Sequence, residues 1–233
     1  MADDLNEILE RLDYCDGEAI TVSTAIATFL KGNIETKTDR YSNGTLISAR
    51  CQVNVPVAIR SRLGTTIHET RSCLDELAVR LAGRNGKLPK DVYFPIPKTR
   101  NYYADQAKKK LGKLAEADML RIAALKANGD DDPFLFGMHE LDRVRKHQRL
   151  TITAASAQGL NISEGRFYGG AIVKKPLGRA WEPVMFLDGP SDCRIDLIYS
   201  LEFREPAQLV GNEVSAAVME FIRRVRAIVK LFK

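Results

Sequence analysis

The chain has 233 residues, 45% hydrophobic and 28% charged, with a formal net charge of +5 and a sequence pI near 9.0. This is the mix of a globular protein able to bury a core, so collagen-like, disordered and disulfide-scaffold classes are excluded. The basic excess admits acidic partners but is too small to imply nucleic acid by itself. No apolar run reaches the length needed to span a bilayer, which reads as no membrane association. The acidic start, Met1-Ala-Asp-Asp, lacks the basic and then apolar regions of a signal peptide, so the expected location is the cytoplasm. The four cysteines, Cys15, Cys51, Cys73 and Cys193, form no Cys-x-x-Cys pair and read as buried reduced thiols.

The first 31 residues place Leu5, Ile8, Leu12, Cys15, Ala19, Val22, Ile26 and Phe29 at alternating spacings of three and four. That spacing aligns one apolar stripe along a helix, with Gly17 as a candidate bend. Two β-prone runs follow, at 34–40 and 45–53, and Ser42-Asn43-Gly44 between them predicts a hairpin whose turn tolerates positive φ. After Pro56 the helical period returns through Leu63, Ile67, Leu74, Leu77, Ala78 and Leu81, and the stretch from Gly83 to Pro89 ends it. Tyr93-Phe94-Pro95-Ile96-Pro97 cannot continue a helix and should run extended over the core. Shorter helices are predicted near 99–111 and 114–127, and another between Pro133 and about Gln148.

Beyond that point the pattern becomes β-like. The stretches 150–155, 165–174, 183–187 and 194–203 are rich in Val, Ile, Tyr and Phe and are separated by Gly, Pro and Asp turns. Gly169-Gly170 reads as a bulge rather than a phosphate cradle. Val214, Val218, Phe221, Val225, Ile228 and Phe232 then mark a closing amphipathic helix. Because a two-stranded hairpin is marginal alone, 34–53 is expected to join the sheet formed by 150–203. The fold class is therefore α+β: a helical bundle packed with an antiparallel sheet. One domain over 1–233 is expected, the alternative being a helical part, 1–148, and a sheet-plus-helix part, 149–233.

The histidines fall on two predicted helices. His68, Arg71 and Asp75 share one side of the first. His139, Arg143, Lys146 and His147 share a face of the second, opposite Leu141 and Val144. Where two such helices neighbour one another, these side chains converge into a cluster able to bind an anion, coordinate a metal or transfer protons. The competing readings are an Arg71–Asp75 ion pair that fixes helix packing, and a solvated charged surface along 139–149. No His-x-x-x-His or Glu-x-x-His spacing, nucleophile elbow, Walker loop or dinucleotide fingerprint is present, so neither a metal site nor a cofactor is expected. Lys98 to Lys113 carries six basic residues and one acidic residue beside Tyr102 and Tyr103, a combination that suits phosphate contact and base stacking. A solvated helix face is the competing reading of Lys108-Lys109-Lys110.

The segment Leu63-Gly-Thr-Thr-Ile-His68-Glu-Thr-Arg71-Ser72-Cys-Leu74-Asp75-Glu-Leu77-Ala78 resembles a "His-Asn-Leu-Arg-Ser-Ala-Leu-Asp-His-Leu" segment of a group of uncharacterised bacterial proteins. Phe94-Pro95-Ile96, the run from Leu141-Asp142 to Lys146-His147, and the closing helix ending in Val229-Lys-Leu-Phe232 are also similar to that group. The group carries Asn, Leu and His where this chain has Glu69, Thr70 and Glu76, and it implies no activity. Arg143 and His147 on one helix give a distant likeness to HEPN domains, helical bundles many of which cleave RNA. Those domains place four to six residues between Arg and His, and this chain places three. The likeness implies a metal-independent ribonuclease with His147 as general base and Arg143 stabilising the phosphorane. The first expectation remains a non-catalytic binding or scaffold module whose basic face, formed by Arg143, Lys146 and His147 and extended by 98–113, meets nucleic acid or another polyanion. A homodimer on exposed parts of 213–233 is a further reading, set against that helix closing the chain's own core.

Overall fold

A computed structural model describes residues 5–88, 90–147, 152–189 and 193–233; of 145–147 and 152–154 only the backbone is described. The fold is α+β, with six α-helices and antiparallel sheets among the described residues. Helix α1 spans Asn6–Asn33 without a break at Gly17, and its stripe from Ile8 to Leu30 is buried. Strands β1 (Ile34–Tyr41) and β2 (Gly44–Cys51) form the predicted hairpin. The turn chemistry differs from the expectation, since neither Asn43 nor Gly44 takes a positive φ. Gly44 is needed for close approach: a Cβ there would fall on the Leu187 carbonyl oxygen and the Phe186 ring.

Helix α2 (Val57–Arg84) begins after Pro56 and ends at Asn85-Gly86, with Gly86 at φ 69, the left-handed residue that commonly closes a helix. Its Leu63, Ile67, Leu74, Leu77 and Leu81 are fully enclosed against α1 and the closing helix α6 (Val214–Lys230). The connection 92–98 has no regular secondary structure, and its residues 94–97 are buried. A 3-10 turn (Arg100–Tyr102) leads into α3 (Tyr103–Leu111), followed by α4 (Glu116–Ala124) and α5 (Pro133–His147). Helix α5 lies along α2. The apolar stripe of α6 is enclosed in the chain's own core, where Phe221 meets Phe134 with ring centroids 4.8 Å apart.

The strands depart from the predicted single sheet. One sheet has the order β1-β2-β5-β4, with β4 at Gly170–Ile172 and β5 at Glu182–Asp188. The hairpin thus joins the C-terminal strands through β2 and β5. The two longest strands among the described residues, β3 (Ile152–Ser163) and β6 (Arg194–Phe203), pair with each other in a second sheet. The stretch between β4 and β5 ties the two sheets: Leu177 N–H donates to the Ala155 carbonyl, and the Gly178 carbonyl accepts from Cys51 N–H. Gly170 lies in β4, where a Cβ would come within 2.6 Å of the Phe186 carbonyl oxygen. Cys15, Cys51 and Cys73 are buried and free, whereas Cys193 is partly exposed, contrary to its expected burial. Among the described residues no helix is long and apolar enough to cross a membrane.

Gly44→Ala should destabilise the protein by about 1–3 kcal/mol, because the clashing backbone of β5 cannot yield as a side chain would. Gly17→Ala, with nothing within 4 Å of the added carbon, should stabilise it by about 0.5–1 kcal/mol. Urea unfolding of the two variants checks both signs.

Candidate functional site

The polar margins of α2 and α5 meet. Arg71 is only 5% exposed, yet its guanidinium reaches three partners on three parts of the chain. Nη1 donates to Asp75 Oδ1 at 2.9 Å, Nη2 to the Phe94 carbonyl at 2.9 Å, and Nε to His139 Nδ1 at 3.3 Å. Asp75 Oδ1 also accepts from Phe94 N–H at 2.9 Å, so arginine and aspartate together hold both backbone polar groups of Phe94. One turn away, His68 Nδ1 lies 2.7 Å from Oδ1 of the buried Asp142. Spacings of three and four on each helix produce this ladder: 68, 71 and 75 on α2 face 139 and 142 on α5.

His68, Arg71, Asp75 and His139 are therefore brought together. Arg143 is not part of that seam. It sits on the outer side of α5, with Nη2 2.7 Å from Glu140 Oε2, and its side chain is 62% exposed. The side chains of Lys146 and His147, which the basic face and the ribonuclease reading both require, lie outside the described residues.

Where the seam opens outward, α3, α5 and the connection 96–98 enclose a cleft of about 500 Å³. Its walls include Ile96, Lys98, Gln106, Lys110, His139 and Arg143, with Gln208 arriving from the 3-10 turn Ala207–Leu209. That turn can approach α5 because Gly137 leaves room for Leu209. A second hollow of about 370 Å³, lined by Lys90, Val92, Lys109, Lys110 and Lys113, adjoins the first through Lys110. Together the two walls carry Lys90, Lys98, Lys109, Lys110, Lys113 and Arg143 against only Asp91 and Glu140.

The electrostatics follow from burial. Burial, and next the Arg71 cation, push the His139 imidazole down to about 4, so it is neutral at pH 7. Because its Nδ1 accepts from Arg71, the neutral ring carries its proton on Nε2 and can only donate from that atom. The Lys110 ammonium is also pulled down, first by burial and then by Arg71. Arg71 is matched by Asp75 and Arg143 by Glu140. Lys110 has no carboxylate within ion-pair distance among the described residues. Asp75 draws on it only from beyond that distance, and a recess lined by donors and by a half-buried ammonium without an ion pair favours an anion. No cluster of three or more metal-ligating side chains occurs among the described residues.

Sequence reasoning placed Lys110 on a solvated face and passed over Asp142, Gln106 and Gln208. The stripe Tyr103, Ala107, Leu111 could have located Lys110, since it puts 106 and 110 at the edge of the buried side. Gln208 carries no such signal, because it arrives from a distant turn. No family model, curated protein or solved structure matches the chain.

Arg71→Met should cost about 3–5 kcal/mol in urea unfolding, as it leaves Asp75 and the Phe94 carbonyl without their buried donor. His139 supplies a pH dependence of known sign. Its folded value lies below the unfolded 6.5, so the stability tied to its neutral form is complete above pH 6.5 and is lost as pH falls toward about 4. The loss approaches about 3 kcal/mol. A His139→Gln variant, which keeps an acceptor for Arg71, should show a shallower decline in stability between pH 7 and 4.5. Parallel curves for the two proteins would contradict the assignment.

Proposed function

We propose that the protein is a non-catalytic binding module that takes the phosphate groups of an anionic partner in the cleft between α3 and α5. The observation that carries this reading is Lys110, a half-buried ammonium on the walls of both hollows with no ion pair of its own, pulled down by burial and then by Arg71, with Asp75 opposing from beyond ion-pair distance. A cation held at that cost is stabilised by an incoming anion more than a solvated surface lysine would be. The surroundings support the reading: Lys98 stands on the rim, the Gln106 and Gln208 amides can donate, and His139 is fixed as a neutral donor tautomer. Glu140 is the one carboxylate on the wall, and it is occupied by Arg143.

Isothermal titration with inorganic tripolyphosphate, an anion without bases or sugars, tests this at 50 and 300 mM salt. Wild-type protein should bind at the lower salt and more weakly at the higher. Lys110→Met should lose about tenfold or more in affinity, since a desolvated charge pair is removed. Absence of binding at low salt, or equal binding by the variant, would overturn the proposal. Incubation with RNA in the same buffer tests the catalytic alternative: cleavage abolished by His147→Ala would replace a binding module with a nuclease.

A further inference from the structure

Two features of the cleft exceed what a single small anion requires. The cleft is one of two adjoining hollows, and Lys110 belongs to the walls of both, so a second group of cations (Lys90, Lys109, Lys113) continues the positive surface beyond it. An isolated phosphate uses one recess; a chain of phosphates uses both. Two exposed tyrosines also neighbour the lining residues along the chain. Tyr93 lies on the connection that borders both hollows, between Val92 on the wall of the smaller and Ile96 on the wall of the larger, and it is 51% exposed. Tyr102, 61% exposed, sits at the start of α3 between the lining residues Lys98 and Gln106.

These tyrosines are not left outside for want of a core: their neighbours Val92, Phe94, Ile96 and Leu111 are all enclosed. Their backbone is also well held. Phe94, next to Tyr93, is clamped on both polar groups by Arg71 and Asp75. Arg100, two residues before Tyr102, is fixed by its backbone N–H to Asp130 and by its side chain to Asp131. Exposed aromatic residues on well-held backbone, next in the chain to basic lining residues, suit unpaired bases, because every base offers a π-face that stacks and a duplex hides those faces.

Resting on the anion-binding reading above, we infer that the ligand is single-stranded nucleic acid, its phosphates passing over Lys110 from one hollow into the other while its bases meet Tyr93 and Tyr102. Lys110 is then the central phosphate contact, and Lys109 and Lys113 hold the next phosphate along.

Fluorescence anisotropy with a labelled ten-nucleotide oligouridylate, its duplex with oligoadenylate, and unlabelled tripolyphosphate as competitor tests the inference on the full chain. The single strand should bind at least tenfold more tightly than both the duplex and tripolyphosphate. Tyr93→Ala should weaken the single strand by roughly tenfold, the scale of one lost base stack, and leave tripolyphosphate affinity unchanged. A Lys109→Glu, Lys113→Glu double variant should weaken the oligonucleotide and lower its salt slope, with little effect on tripolyphosphate. Circular dichroism confirms that each variant is folded. Equal affinity for single strand and duplex, or a Tyr93→Ala variant that binds the strand normally, overturns the inference even where tripolyphosphate binding and its Lys110 dependence stand. If nothing binds, the anion-binding reading fails first.

Discussion

The architecture around the cleft depends on one buried guanidinium. Arg71 ties its own helix to a loop through the Phe94 carbonyl and to a second helix through His139. An ion of that size is costly to bury, and the cost is offset only because a carboxylate and a carbonyl meet it with good geometry. A lysine would not serve, since a point charge on a flexible stem cannot address three directions at fixed angles. The same group then acts outward. After burial, it is the next cause that lowers both His139 and Lys110, so the interior bond that braces the fold also bears on the chemistry of the surface above it.

Arginine and lysine divide the work. Several arginines span helices: Arg11 reaches Glu69 and Glu76 from α1 to α2, Arg226 reaches Asp13 and Asp16 from α6 to α1, and Arg224 joins Asp132 while lying over the Phe134 ring. These forks suit planar carboxylates and cost less order than long, freely rotating ammonium chains. The cleft instead gathers lysines with few acids nearby. The modest net charge of +5 thus conceals a local asymmetry: many acids are consumed in bracing helices, and the positive excess is concentrated around α3.

Much of this was legible in the residues, and the remainder failed for identifiable reasons. The stripes of α1, α2 and α6 were readable because each helix buries one face, and burial writes itself into spacing. The meeting of 68–75 with 139–142 followed from polar residues at the edges of two such stripes. The split into two sheets was not readable, because strand partners are chosen by tertiary fit and alternation cannot name them. Gly44 was read for its backbone freedom when its lack of a side chain was what mattered, as only the position of β5 reveals. Arg143 was grouped with His139 by helical spacing. Both do line the cleft, but Arg143 pairs with Glu140, three residues earlier, and takes no part in the hydrogen bonds of the seam.

The pairing of β2 with β5 has a consequence for how the protein comes into being. Ile47 lies opposite Met185, so the central ladder of that sheet must wait until about 140 further residues have left the ribosome. At some 5–20 residues per second, the first hairpin spends on the order of ten seconds with the inner edge of β2 unpaired. Contacts this distant along the chain slow folding and leave apolar surface open to wrong partners. Its outer strand offers some protection: β1 presents Glu35, Lys37, Asp39 and Arg40 to solvent, a charged edge that discourages neighbouring nascent chains from adding a strand while β5 is still being made.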